Sequence, residues 1–207
     1  MNDHTNSMRR NALERWHPRP AAEPSIERSE LNLLGDEPLA WVAAEFFRNN
    51  YLECRETLLQ KTRRIRLLPE ISPYPQRFRF EIDTAYKRKL SGETPVELAE
   101  GPLTGEVIYR GDMFLNPQGP CLVVMIDREL GFFHPNYSRR FGYLCIGDAR
   151  EFPPGPIPLA ALLENQIYPI VTYQNRHPSS PADLEAARYF ALDPTAMDGL
   201  EPAIPLY

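Results

Sequence analysis

The sequence predicts an α+β fold with an N-terminal helix, an antiparallel β-meander, an irregular segment and C-terminal helices. Two observations support this class. Apolar residues recur at helical spacing before and after the middle of the chain, whereas in the middle they alternate with charged residues. The strand-like segments follow one another without an intervening helix, which favours antiparallel pairing over parallel β-α-β units.

The first element is a predicted helix that starts near Asp36, a suitable N-cap residue. Its apolar residues keep helical spacing over residues 39–65. Asn49 and Asn50 interrupt this pattern, and we expect the helix to bend or break at this pair. Pro69 ends whatever helix remains.

Three segments in the middle of the chain have strand patterns. Apolar and charged side chains alternate over residues 78–83, and residues 105–110 form a second candidate strand. Residues 121–127 are apolar enough for a central strand that is covered on both faces. Glycine and proline residues between the segments favour turns, so we expect the three strands to form a meander.

Two further helices are predicted in the C-terminal part. Pro158 can open a helix that Pro169 limits in length, and a final short helix covers residues 182–190. The chain of 207 residues suits one domain with tails. The expected regions are a disordered N-terminal arm over residues 1–35, a domain over residues 36–192 and a C-terminal tail over residues 193–207.

The composition excludes several classes of protein. A net charge of −5 gives no overall attraction to nucleic acid or to an anionic membrane surface. No apolar run approaches the ~18 residues of a membrane span, and the N-terminus lacks the apolar stretch of a secretory signal. We therefore expect a cytoplasmic protein. The 3 cysteines include no CxxC pair, which argues against a disulfide framework or a zinc site, and no metal is expected.

The strongest functional signal is the tripeptide His134-Pro135-Asn136, which is followed by Cys145 in a Gly-x-x-Cys sequence. A proline-rich loop, a helix and a serine-proline pair at 180–181 come next. This order resembles the ubiquitin-conjugating enzyme family, in which His-Pro-Asn ends the meander and a short loop leads to the active-site cysteine.

The resemblance implies a ubiquitin-conjugating (UBC-like) fold over residues 36–192 and an acyltransferase activity. Cys145 would accept a ubiquitin-like protein as a thioester from an activating enzyme and pass it to an amine, or to another nucleophile, of a substrate protein. No cofactor is implied, because the partner activating enzyme uses the ATP. Cysteine chemistry agrees, since a thiol is a good nucleophile and a thiolate is a good leaving group.

Three other residues are candidate catalytic groups. Asn136 either stabilises the oxyanion of the acyl-transfer step, which is worth ~2.7–4 kcal/mol for such a donor, or braces the loop before the cysteine. Ser180 matches a gating position of the family, or makes a local turn bond. Asp148 either lowers the pKa of an incoming lysine or is a solvated loop carboxylate. By the resemblance, His134 and Pro135 hold the loop.

A basic cluster lies late in the first helical region. By the resemblance it is a docking face for the activating enzyme, and the alternative is a solvated helix face. No aromatic residues interleave with these charges as single-stranded nucleic acid binding requires. The members of the cluster are Arg55, Lys61, Arg63, Arg64 and Arg66.

Two departures from the family limit the resemblance. The gap from Asn136 to Cys145 is one residue longer than the common spacing, and we expect Arg139 or Arg140 to bulge there. Residues 128–133 replace the Tyr-Pro-x-x-Pro-Pro segment that helps to dock ligases, so ligase binding is not carried over. The divergence is most similar to the conjugating enzymes of bacterial ubiquitin-like operons, several of which act in antiviral defence against phage.

Two other functions remain open. A noncatalytic module of the same fold would bind a ubiquitin-like protein, although such variants typically lose the cysteine that is present here. A Cys-His thiol hydrolase would use His134 or His177 to activate Cys145, with a third residue orienting the imidazole. Alkylation of Cys145 separates a module, whose partner binding survives it, from an enzyme.

Overall fold

One long helix precedes an antiparallel sheet in the computed structural model, which describes residues 37–68, 77–90, 94–109, 122–147, 156–200 and 206, with side chains from residue 45 onward. The helices are α1 (Glu37–Lys61), α2 (Leu159–Leu162), α3 (Tyr168–Val171) and α4 (Leu184–Leu192). The strands are β1 (Ile65–Leu67), β2 (Arg77–Asp83), β3 (Tyr86–Arg88), β4 (Glu97–Ala99), β5 (Pro102–Tyr109), β6 (Leu122–Ile126), β7 (Tyr137–Ser138) and β8 (Tyr143–Leu144). The predicted α+β class is confirmed, and the arm predicted over residues 1–35 lies outside the described residues.

Six strands form an antiparallel sheet in the order β1-β2-β5-β6-β8-β7, and β3 pairs with β4 in a separate hairpin. The neighbours β2, β5 and β6 correspond to the three strands that the sequence predicts. Gly105 lies opposite Phe80, and a Cβ atom on Gly105 would come within 2.5 Å of the carbonyl oxygen of Met125. Only glycine permits this close approach between strands.

The two faces of the central strands differ in burial. Along β2 the apolar residues are buried and the charged ones are not, as the alternation predicts. The prediction that both faces of β6 are covered is wrong, because Val123 and Met125 are only half-buried. The buried side chains of β6 belong to the same core cluster as those of α1 and α2, so the described helices cover that one face.

α1 runs without interruption through Asn49 and Asn50, so the helix does not break at this pair. Asn50 is buried, and its Oδ1 accepts a 2.6 Å hydrogen bond from the main-chain N–H of Leu159 at the start of α2. A partner in another helix therefore satisfies this polar group inside the apolar face. The helix ends at Lys61, and Ile65 belongs to β1, because pairing with β2 overrides the helical spacing.

The helical segment that begins at Leu159 continues past Pro169, contrary to the predicted limit. A π turn over Leu163–Ile167 joins α2 to α3, and Pro169 lies in the first turn of α3. Proline has no main-chain N–H to donate to the preceding turn. The wider π turn relieves the contact between the proline ring and the preceding turn.

The side chain of Asp183 caps the last helix, α4. Its Oδ1 accepts hydrogen bonds from the main-chain N–H groups of Glu185, at 2.9 Å, and Ala186, at 3.1 Å. The cap explains why this helix covers Leu184–Leu192 and not the predicted residues 182–190.

Residues that follow α4 also pack on the core. Ala196 and Leu200 are buried, although the sequence assigns them to the C-terminal tail. The packed structure therefore extends beyond residue 192.

Candidate functional site

The hairpin of β7 and β8 brings the two ends of the predicted motif together. Tyr137 lies opposite Leu144, and Ser138 lies opposite Tyr143. Beyond these pairs, the main-chain N–H of Cys145 donates a 2.7 Å hydrogen bond to the carbonyl oxygen of Asn136. The proposed nucleophile and the proposed oxyanion donor are therefore adjacent in space.

A closed turn over residues 139–142 accommodates the length of this hairpin. The N–H groups of Phe141 and Gly142 both donate to the carbonyl oxygen of Ser138, at 3.1 Å and 2.6 Å. Gly142 has a left-handed φ of 77°, and a Cβ atom there would lie 3.0 Å from Cγ of Arg128. The longer spacing is thus accommodated by a hydrogen-bonded turn that requires glycine at its last position.

Cys145 differs from the other described cysteine in its accessibility. Cys145 is half-buried, whereas Cys54 is fully buried in the core. Burial raises the pKa of the Cys54 thiol to about 12, which keeps it protonated. Cys121 lies outside the described residues. Of the two described cysteines, Cys145 is the one with exposed surface.

His134 is fully buried and acts as a structural side chain. Its Nδ1 accepts a 2.9 Å hydrogen bond from the main-chain N–H of Asn136, and its ring stacks on Phe132 at 5.6 Å. Burial lowers the pKa of the imidazole to about 3, so the ring is neutral at physiological pH. The lone pair that a general base needs is already in use, which disfavours a hydrolase in which His134 activates Cys145.

The main chain and the side chain of Asn136 have different partners. Its N–H donates to His134 and its carbonyl oxygen accepts from Cys145, so the main chain braces the loop before the cysteine. The residue is 4% exposed, and its Oδ1 accepts no hydrogen bond from the described residues. Bracing through this side-chain oxygen is therefore not observed in the described part of the chain.

The loop that contains Ser180 lies against the tripeptide. The carbonyl oxygen of Pro135 accepts hydrogen bonds from the N–H groups of Ala182, at 2.8 Å, and Asp183, at 3.1 Å. Ser180 itself is exposed. The main chain around Pro135 and Asn136 thus bonds to the Ser180 loop through one carbonyl and to Cys145 through the next.

Arg139, in the hairpin turn, joins the hairpin to α4. Its Nε donates to Oδ2 of Asp183 and its Nη2 to Oε2 of Glu185, each at 2.5 Å. Its Cζ lies 4.9 Å from the centre of the Phe133 ring. Hydrogen bonds from Lys89 and Arg139 hold the pKa of the Glu185 carboxyl below its usual value. No sequence pattern predicts a role for Arg139 in the site.

Tyr173 is a second residue that the sequence analysis missed. Its hydroxyl accepts a 2.8 Å hydrogen bond from the N–H of Lys87 and donates a 3.1 Å bond to the carbonyl oxygen of Phe133. Its ring centre lies 4.8 Å from that of His134. The buried Tyr173 has a left-handed φ of 60°, a conformation that non-glycine residues rarely adopt. Tyr173 thus contacts both Phe133 and His134, at the start of the tripeptide.

The residues of the predicted basic cluster lie on α1, on β1 and between them, and not at the hairpin. Asp148 lies outside the described residues. In the basic cluster, Arg55 and Lys61 are exposed on α1, whereas Arg66 lies on β1 and pairs with Glu81 at 3.3 Å. Arg63 and Arg64 lie between these two elements. The cluster is therefore spread over a helix end, a turn and a strand.

Comparisons with known proteins assign the chain to no family. The chain matches no protein-family model and no curated protein with significant similarity. Within the described residues, no group of three or more metal-ligating side chains is found, and none of the helices is long and apolar enough to cross a membrane. The function is therefore argued from the hairpin and its surroundings.

Proposed function

We propose that this protein is a ubiquitin-conjugating enzyme with a UBC-like fold, and that Cys145 carries a ubiquitin-like protein as a thioester. The observation that carries the proposal is the 2.7 Å main-chain hydrogen bond between Cys145 and Asn136. It places the partly exposed residue Cys145 beside Asn136, which directly follows the His-Pro pair. Acyl transfer through a cysteine needs this combination of nucleophile and oxyanion donor.

The proposed reaction has two acyl transfers. Sγ of Cys145 attacks the activated C-terminal carbonyl of the ubiquitin-like protein, and the leaving group of the activating enzyme departs with the electron pair and takes up the proton of the thiol. An amine of the substrate protein then attacks the thioester and loses its proton. The tetrahedral intermediate collapses by expelling the Cys145 thiolate, which leaves an amide on the substrate. The carboxamide of Asn136 stabilises the oxyanion in the second transfer.

The burial of His134 supports a carrier over a hydrolase that uses His134 as its base. A thioester intermediate must survive until an amine arrives, and a neighbouring base that activates water would cause its hydrolysis. The imidazole of His134 is fully buried, and its Nδ1 is occupied by the N–H of Asn136. It holds the loop and does not take a proton from water.

The acceptor side of the site is assigned to the loop that bonds to Pro135. Ser180 in this loop prepares the incoming amine for its attack on the thioester. Asp148 is the second candidate for that role. The docking of residues 182 and 183 on the Pro135 carbonyl supports Ser180, because it fixes this loop beside the tripeptide.

The proposed partners follow from the reaction. They are an activating enzyme, which uses ATP in the cytoplasm, a ubiquitin-like protein and a substrate protein. Exposed Arg55 and Lys61 on α1 are proposed contacts for the activating enzyme. A bacterial conjugation system with a role in antiviral defence is the proposed setting.

The decisive experiment is a charging assay with ATP, a candidate activating enzyme and its ubiquitin-like partner. A nonreducing gel and intact mass would detect an adduct that thiol reductant removes. We expect the adduct in the wild type and in Cys54→Ala, and none in Cys145→Ala. An adduct that persists in Cys145→Ala would overturn the proposal. Binding of the ubiquitin-like protein that survives alkylation of Cys145, with no adduct from a charged activating enzyme, would identify a noncatalytic module.

A further inference from the structure

Two parts of the proposed site come from distant segments of the chain. The β7–β8 hairpin carries Asn136 and Cys145, and the loop before α4 carries Ser180. Main-chain hydrogen bonds to the Pro135 carbonyl attach the loop at one point. A second attachment is the ion pair between Arg139 and Asp183, two residues that are 44 positions apart.

The guanidinium of Arg139 is held from three directions. It pairs with Asp183 through Nε and with Glu185 through Nη2, and it lies over the buried ring of Phe133. Its side chain is 26% exposed and that of Asp183 is 9% exposed, so solvent screens this pair less than an ordinary surface pair. Lys89 pairs with the same Glu185 carboxylate, which extends the network to the segment after β3.

Asp183 has a separate task for each of its carboxylate oxygens. Oδ1 caps α4 by accepting from the N–H groups of Glu185 and Ala186, and Oδ2 accepts from Arg139. The start of α4 and the turn of the hairpin are therefore bound to one carboxylate. Any displacement of the hairpin relative to the loop has to break a contact of this group.

We infer that Arg139 is a positioning residue, which fixes the Ser180 loop against the hairpin that carries Asn136 and Cys145. The inference rests on the proposed function, because it concerns the step in which the amine approaches the thioester. Arg139 acts through Asp183 and touches no reacting atom. Its planar fork matches two acceptors at once, so lysine cannot replace it.

The inference predicts which reaction step depends on Arg139. Charging of Cys145 needs an accessible thiol and the hairpin register, and the ladder hydrogen bonds of β7 and β8 maintain both. Transfer to an amine also needs the loop in place. In Arg139→Ala, the rate of charging should stay within about twofold of wild type. The maximal rate of transfer to free lysine should fall by about tenfold or more.

Arg140 provides a matched control in the same turn. Its Cζ lies 5.0 Å from the ring centre of exposed Phe141, away from the network of Asp183. Arg140→Ala should charge and transfer like wild type. Arg139→Lys should resemble Arg139→Ala, because it keeps the charge and loses the two-acceptor geometry. Equal losses of charging and transfer in Arg139→Ala, in proportion to lost folded protein, would leave only a structural role and overturn the inference.

Hydrogen exchange tests the inference without any partner protein. We expect the amides of Ala182 and Asp183 to exchange faster in Arg139→Ala than in wild type or Arg140→Ala, at equal global stability. Unchanged exchange at both amides would overturn the inference even if transfer slows. If the wild type forms no thioester with a charged activating enzyme, the proposed function fails, and this exchange comparison still decides whether Arg139 positions the loop.

Discussion

Oδ1 of Asn50 accepts a hydrogen bond from the main-chain N–H of Leu159, 109 positions away in the chain. The bond joins the middle of α1 to the first turn of α2, where an N–H group has no partner within its own helix. It therefore attaches α1 to the start of α2.

Replacing this side chain should destabilise the fold. In Asn50→Ala the buried N–H of Leu159 loses its acceptor, so we expect the free energy of unfolding to fall by ~1–3 kcal/mol. Urea unfolding followed by circular dichroism measures the change. Asn49→Ala is the control, because Asn49 is the exposed neighbour in the same helix. Equal midpoints for the two variants would show that the bond contributes little.

The hydroxyl of Tyr173 should contribute to stability through two main-chain groups. Tyr173→Phe keeps the ring against His134 but leaves the N–H of Lys87 and the carbonyl oxygen of Phe133 without this partner. We expect the free energy of unfolding to fall by ~1–3 kcal/mol and the melting temperature to fall with it. Tyr189→Phe is the matched control, since the Tyr189 hydroxyl bonds to no described residue. A melting temperature unchanged from wild type would refute the assigned role of the Tyr173 hydroxyl.

Asn136→Ala should separate catalysis from stability. The main-chain bonds of Asn136 to His134 and Cys145 do not use its side chain, so the melting temperature should change little. Loss of an oxyanion donor typically slows acyl transfer by about 10²–10³-fold. Single-turnover transfer from the Cys145 thioester to lysine, together with thermal melting, measures both effects. A large loss of stability with a proportionate loss of rate would instead favour a bracing role for the carboxamide.

Burial of His134 predicts a specific dependence of stability on pH. Its folded pKa of about 3 lies below the ordinary value of 6.5, so within this window the unfolded chain binds a proton that the folded protein does not. The free energy of unfolding should therefore fall as pH falls from 6.5, by up to ~1.4 kcal/mol for each pH unit. Above pH 6.5 this dependence fades, because the unfolded imidazole also loses its proton there.

Urea unfolding at several pH values between 7.5 and 5 would test this dependence. His134→Asn retains an acceptor for the N–H of Asn136 but does not titrate, so its stability should vary less with pH than that of the wild type. His177→Asn removes an exposed histidine and should leave the wild-type dependence unchanged. Parallel curves for the wild type and His134→Asn would contradict the burial of a neutral imidazole.

Local patterns predicted the fold well where a residue's partners are close in the sequence. They also predicted the strands in which apolar and charged residues alternate. β2 and the meander that it starts follow from such alternation. The predictions failed at Asn50 and at Pro169 for different reasons. A distant amide satisfies Asn50, and a π turn accommodates Pro169. Neither partner can be read from helical spacing, because each depends on how separate segments pack.

The candidate site divides in the same way. Asn136 and Cys145 were predicted from the resemblance of their motif to a family, and the structure places both at one hairpin. Arg139 and Tyr173 were missed because their partners are 44 and 40 positions away. Arg139 was noticed only as part of an unusually long spacing. From the sequence alone, Arg139 and Arg140 are equivalent, and nothing indicates which of them pairs with a carboxylate at the start of α4.

The position of Cys145 depends on the pairing of the hairpin strands and not on the number of residues in the turn. Side chains alternate between the faces of a ladder, so the register decides which way Cys145 points, and the length of the turn does not. A change of turn length that keeps Tyr137 opposite Leu144 leaves Cys145 next to Asn136 on the neighbouring strand. Natural selection acting on this reaction would preserve that pairing and leave the turn free to gain or lose residues, so proteins with the same chemistry can differ in the spacing of their motifs.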